Sequence, residues 1–180
     1  MEIPVNDVNV FRITNTDHNI FGLGDRIPVL FVFHSKKFGF RFRVNGNENY
    51  GYNYDYELNK QYQIEISQKK NSDGKAVYKI IINGETFHEV INTTPRNFDN
   101  AMLYLSDVHY DTFAPYGSLA NLRISSALSK LIKSYIEIPA FFLWFMDLIA
   151  HYRAYKVSIF HGKVLTAKKF EIYIYEPTFV

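Results

Sequence analysis

Every even position of Lys37-Phe38-Gly39-Phe40-Arg41-Phe42-Arg43-Val44 is apolar, and every odd position of Gln61-Tyr62-Gln63-Ile64-Glu65-Ile66-Ser67-Gln68 is polar. A period of two describes a strand with one face on a core and the other in water. Val29-Leu30-Phe31-Val32-Phe33 and Val77-Tyr78-Lys79-Ile80-Ile81-Ile82 are almost continuously apolar, as strands buried on both faces are. Asn45-Gly46, Asp73-Gly74 and Asn83-Gly84 each separate two such runs, and these dipeptides supply the positive φ angles of tight hairpins. Further strands are expected at 8–14, 48–55, 86–91, 100–106 and 119–125, about nine in all, with no helical periodicity before Ser126. The pattern predicts an all-β sandwich of antiparallel strands over residues 1–126. Phe38, Phe40, Phe42, Tyr62, Ile64 and Ile66 should point into its core.

The pattern changes after Ser126. Residues 138–150 form the densest apolar run, 13 residues containing Pro139 and Asp147. That falls short of the roughly 20 residues a helix needs to cross a bilayer. The reading is an apolar helical appendage over 127–155, broken at Pro139 and packed on the sandwich, with membrane association through 138–150 as the alternative. Residues 156–180 read as a final strand or hairpin: Phe170, Ile172 and Ile174 share one face, and His161-Gly162 offers a turn that would pair 155–160 beside it.

Charge follows the same division. Residues 1–125 carry 13 Lys/Arg against 14 Asp/Glu, and 126–180 carry 7 against 4. The net +2 over 180 residues is too balanced for a protein built to grip nucleic acid. Aromatic residues reach 17%, with 16 Phe and 14 Tyr. Cysteine is absent, which excludes disulfides, thiolate metal sites and cysteine nucleophiles. The N-terminus lacks the basic and apolar regions of a secretory signal peptide.

The order of the pieces carries a resemblance. Asn9-Val10-Phe11-Arg12-Ile13-Thr14 and Gly24-Asp25-Arg26-Ile27-Pro28 come first, then Val44-Asn45-Gly46-Asn47-Glu48-Asn49-Tyr50 and Ile64-Glu65-Ile66-Ser67-Gln68. Tyr78-Lys79-Ile80-Ile81-Ile82-Asn83-Gly84, Val90-Ile91-Asn92-Thr93, Leu105-Ser106-Asp107 and Leu119-Ala120-Asn121-Leu122-Arg123-Ile124 follow. In this order, residues 9–125 resemble the concanavalin A-like lectin/glucanase superfamily, and within it the laminin G-like domains. The resemblance implies a jelly-roll of two curved antiparallel sheets that binds carbohydrate or protein ligands in an extracellular or cell-surface protein.

Domains of that kind open with a further strand ending in a phrase like K-x-F-x-I-x-x-x-x-P-T. It is missing before Val8, and a similar phrase stands at Lys169-Phe170-Glu171-Ile172-Tyr173-Ile174-Tyr175-Glu176-Pro177-Thr178-Phe179. The chain therefore reads as part of a longer precursor, cut from a tandem array. Its last strand is expected to fill the vacant position, in cis or by strand-exchange self-association.

Catalytic signatures are missing. Glucanases of the superfamily use two carboxylates on one strand, E-x-D-x-x-E-like, about 5–5.5 Å apart in the retaining mechanism. Here Glu65 stands alone between Ile64 and Ile66, and Asp55 and Glu57 lack a third partner. There is no Gly-x-Ser-x-Gly elbow, no paired histidines at zinc spacing and no phosphate-binding glycine loop. The chain reads as a non-enzyme without a cofactor, calcium being the one metal that the residues suggest. Asp17, Asn19 and Asp25 lie in one polar loop and offer hard oxygen ligands; the competing reading is that they cap turns.

Ligand binding is assigned to aromatics. Tyr50, Tyr52, Tyr54 and Tyr56 alternate, so four rings can share one face of a strand and stack on sugar or protein. A cross-strand aromatic ladder is the structural alternative. Asn92-Thr93-Thr94 is a glycosylation sequon. The functional expectation is a non-catalytic recognition module; the alternatives are a structural repeat or truncated gene fragment without a ligand, and then a glucanase-like hydrolase.

Overall fold

The computed structural model describes residues 4, 6–16, 22–96, 98, 101–105, 111–112, 118–126, 135–138, 155–158 and 167–175. These residues form an all-β structure with no helix. Its strands are β1 (Val8–Thr14), β2 (Val29–Phe33), β3 (Lys37–Val44), β4 (Asn47–Asp55), β5 (Tyr62–Lys70), β6 (Ala76–Ile82) and β7 (Glu85–Asn92). Then come β8 (Met102–Leu105), β9 (Asp111–Thr112), β10 (Ser118–Ser126), β11 (Tyr135–Ile138), β12 (Tyr155–Ser158) and β13 (Ala167–Tyr175).

Two sheets result. The first runs β12-β8-β1-β2-β3-β4, with β9 pairing β1 in parallel. The second runs β11-β10-β13-β5-β6-β7, and every other pairing is antiparallel. The hairpins follow from their turn residues. Asn45 and Gly46 (φ 54° and 81°) close β3–β4 in two residues, and Asn83 and Gly84 (52° and 85°) close β6–β7. Positive φ at both central residues is the type I′ geometry, whose twist matches that of two paired strands.

The alternating residues fill one shared core. Phe38, Phe40, Phe42, Tyr62, Ile64 and Ile66 are all buried, as their periodicity requires. The sheets meet through rings: Phe38 of β3 contacts Tyr62 of β5 edge-on at 5.2 Å, and Phe42 stacks on Tyr78 of β6 at 3.5 Å.

Two expectations fail in the C-terminal part. Residues 135–138, expected within a helix, form β11 against β10. Tyr135-Ile136-Glu137-Ile138 is rich in residues of high strand propensity, and Pro139 pushes the residue before it away from helical backbone. Within 127–155 only 135–138 and 155 are described, so the rest of the expected appendage, including the apolar run after Ile138, lies outside the described residues. Among the described residues no helix is long and apolar enough to cross a membrane.

The expected hairpin of 155–160 with 168–176 does not form either. β12 pairs β8 in the first sheet, whereas β13 pairs both β10 and β5 in the second. With both edges of β13 taken by nine-residue strands, no ladder position is left for the four residues of β12.

Candidate functional site

β4 and β7 are the last strands of their sheets, and their side chains meet across the gap between the sheets. The register sets which residues meet there. Phe42, Phe40 and Phe38 of β3 stand opposite Tyr50, Tyr52 and Tyr54 of β4, so the tyrosines continue the core-facing row outward to the edge strand.

On β7 a bulge changes the alternation. Ile80 pairs with His88 and Ile81 with Thr86, leaving Phe87 as the extra residue. A bulge re-aims side chains, and here two consecutive rings turn toward the tyrosines. Tyr52 stacks on His88 at 3.7 Å, and Tyr54 meets Phe87 edge-on at 5.1 Å. Tyr50 lies 5.9 Å from His88, and its Oη is 3.3 Å from His88 Nε2.

The result is an aromatic seam of five rings between the two edge strands. Exposure is graded along it. Tyr52 is 43% exposed, Tyr50, Tyr54, Phe87 and His88 are half-buried, and Tyr56 is only 4% exposed. Tyr56 packs 4.9 Å from Phe38 and belongs to the core. Three of the four tyrosines singled out in the sequence therefore come together at the surface, and the fourth does not.

Ion pairs flank the seam, and Glu57 and Glu85 lie near enough to act on Tyr54. Lys37 bonds Asp55 at 2.5 Å, and Lys79 bonds Glu89. Burial raises the Tyr50 and Tyr54 hydroxyls above the usual tyrosine value, with smaller contributions from Tyr52 and Tyr62 respectively. Burial lowers His88 below the usual histidine value. Tyr50 and Tyr54 thus keep their hydroxyl protons beside an uncharged His88 ring, which suits apolar faces and neutral hydroxyl groups.

Phe87 and His88 are not among the sequence candidates. The available signal is the adjacent pair Phe87-His88, which breaks strict alternation.

The other sequence candidates behave differently. Asp17 and Asn19 lie outside the described residues. Asp25 is buried, and its carboxylate accepts hydrogen bonds from the Thr16 hydroxyl and from the Gly22 amide at 2.8 Å, a turn-closing arrangement. Asn92 of the sequon is 3% exposed. Its Nδ2 donates to Gln68 Oε1 at 2.8 Å and to the Arg43 carbonyl at 3.3 Å. A glycan on that nitrogen is incompatible with this fold. Comparison with protein-family models, with curated proteins and with solved structures finds no match.

Proposed function

We propose that the two sheets form a jelly-roll sandwich serving as a non-catalytic recognition module of an extracellular or cell-surface protein, with the aromatic seam as its binding surface. The observation that carries this reading is the seam itself: a half-exposed Tyr52 ring flanked by Tyr50, Tyr54, Phe87 and His88. A sugar ring offers an apolar C–H face to stack on tyrosine and hydroxyls to bond Tyr50 Oη and His88, so a neutral glycan fits the chemistry best. A second reading is favoured by the position of β4 and β7 at the ends of their sheets. An extended peptide adding to either edge would gain main-chain hydrogen bonds and lay side chains on the same rings.

Binding to an array of neutral glycans tests the first reading. Tyr52→Ala should weaken binding about tenfold, the scale of one stacked ring. Binding unchanged in Tyr52→Ala and Tyr54→Ala would place the site elsewhere. An intact chain that binds no glycan but captures extended peptides would favour strand addition.

A further inference from the structure

Beside the seam, at one end of the two sheets, lies a cavity of about 50 Å³. Its volume suits one small polar group, since a water occupies about 30 Å³ of the liquid. The polar part of its wall is Arg26, Arg43 and Arg96, the amides of Gln68 and Asn92, and Tyr78, with no carboxylate among the described lining residues.

Local structure explains how these groups converge. Gln68 on β5 stands opposite Tyr78 on β6, and Asn92 ends β7 on the same inward face, bonding Gln68 Oε1 at 2.8 Å. Arg43 is the penultimate residue of β3, where its Nε donates to Glu48 at 2.6 Å and another nitrogen donates to the Thr94 carbonyl. That pairing neutralises Arg43 and leaves part of its donor fork unused. Arg96 follows β7 and is exposed, with no hydrogen bond or ion pair among the described residues.

Tyr78 is the second, independent observation. It is 6% exposed and held against Phe42 at 3.5 Å, and its hydroxyl has no hydrogen-bond partner among the described residues. A buried hydroxyl left in this state is costly, and native interiors rarely keep one. Burial also raises its pKa well above the usual value, so the group is a fixed donor at neutral pH. Asn92 spends both Nδ2 hydrogens on Gln68 and Arg43, and Arg26 donates to Asn49. Besides the rest of the Arg43 fork, the donors left to the wall are therefore Arg96, Gln68 Nε2 and Tyr78 Oη, which together suit a small oxyanion with several acceptor lone pairs.

We infer that this cavity is an oxyanion pocket, taking one carboxylate, phosphate or sulfate group of a small ligand, with Arg96 as the charged clamp and Tyr78 Oη as the buried donor. The inference stands apart from the seam and does not need it.

The test is titration of the full chain with sodium acetate, sodium phosphate and sodium sulfate against sodium chloride at matched ionic strength, following Tm and the heat of binding. At least one oxyanion should raise Tm along a saturating curve, as site binding requires. A rise that is linear in sulfate and unchanged by substitution is general salting-out and overturns the inference. Acetate acting alone identifies a planar carboxylate ligand; phosphate or sulfate acting alone identifies a tetrahedral one.

Arg96→Gln should weaken binding tenfold or more, the scale of a lost charge-assisted hydrogen bond. Tyr78→Phe should weaken it several-fold while leaving Tm in chloride unchanged or higher, because the hydroxyl has no partner among the described residues to lose. Wild-type affinity in Arg96→Gln, or a lower Tm for Tyr78→Phe in chloride alone, would each overturn it.

Discussion

Replacing Asn92 by alanine probes how the two sheets are tied at their end. Besides its two donated bonds, Asn92 Oδ1 accepts from the Asn45 amide at 3.1 Å and from the Thr94 amide at 3.2 Å. One side chain thus connects β7 and β5 of the second sheet with the β3–β4 hairpin of the first. Thr94 is exposed, so its amide can turn to water at little cost. The bonds to Asn45, Arg43 and Gln68 are part-buried, and each contributes about 1 kcal/mol net. Asn92→Ala should therefore cost about 3 kcal/mol, a large share of the 5–15 kcal/mol typical of a domain. For a chain of this size that lowers Tm by about 6–12 °C.

Urea denaturation read by circular dichroism gives the loss directly as a shift in midpoint. A double-mutant cycle with Gln68→Ala isolates the 2.8 Å bond and should return a coupling of about 1 kcal/mol. A loss below about 1 kcal/mol, or no coupling, would mean that Asn92 does not bridge the sheets and that this reasoning is wrong. The same result would reopen the sequon.

Gly51 lies between Tyr50 and Tyr52, and a Cβ there would sit 2.3 Å from the Phe40 carbonyl oxygen and 2.5 Å from Arg41 Cδ. Gly51→Ala should cost about 1–3 kcal/mol by prising β4 from β3, and should weaken seam binding; wild-type stability in thermal melts would refute the packing. His88 has a folded pKa below its unfolded value near 6.5. The unfolded chain therefore takes up this proton first on acidification, so the neutral ring's contribution is intact above about pH 6.5 and is lost as pH falls toward the folded pKa. Urea midpoints from pH 8 to 5 should fall less steeply for His88→Gln, and an unchanged slope would show that the ring is not buried against Tyr52.

The strands and hairpins were legible because they depend on local rules. Alternation located β3 and β5 to within two residues, and the Asn-Gly pairs located both two-residue turns, since positive φ is a property of the residues themselves. What stayed hidden depends on partners distant in the chain. The row Tyr50, Tyr52, Tyr54 could be read as one face. That Phe87 and His88 would both join it could not, because the bulge on β7 exists only relative to β6. β13 reads as a strand from its own residues, but its place between β10 and β5 is set by ladders to both of them. β11 departs from the expected helix because apolar density alone does not distinguish helix from strand, whereas Pro139 favours extended backbone in the residue before it. The burial of Asn92 was not legible either, because a sequon says nothing about burial.

Phe42 links the two candidate sites and dictates how they must be separated. Its ring stacks on Tyr78 at 3.5 Å, lines the cavity, and lies 5.4 Å from Tyr50 at the start of the seam. Any change at Phe42 or Tyr50 would therefore move both sites together, and a lost signal there would identify neither. Tyr52 and Arg96 avoid this ambiguity. Tyr52 is the most exposed ring of the seam and does not line the cavity, whereas Arg96 lines the cavity and makes none of the seam's ring contacts. Their effects on one ligand should therefore combine additively within about 0.5 kcal/mol if seam and pocket bind independent parts of it. Coupling well beyond that would mean that Phe42 transmits strain between them, and the two would then be one site with a shared wall.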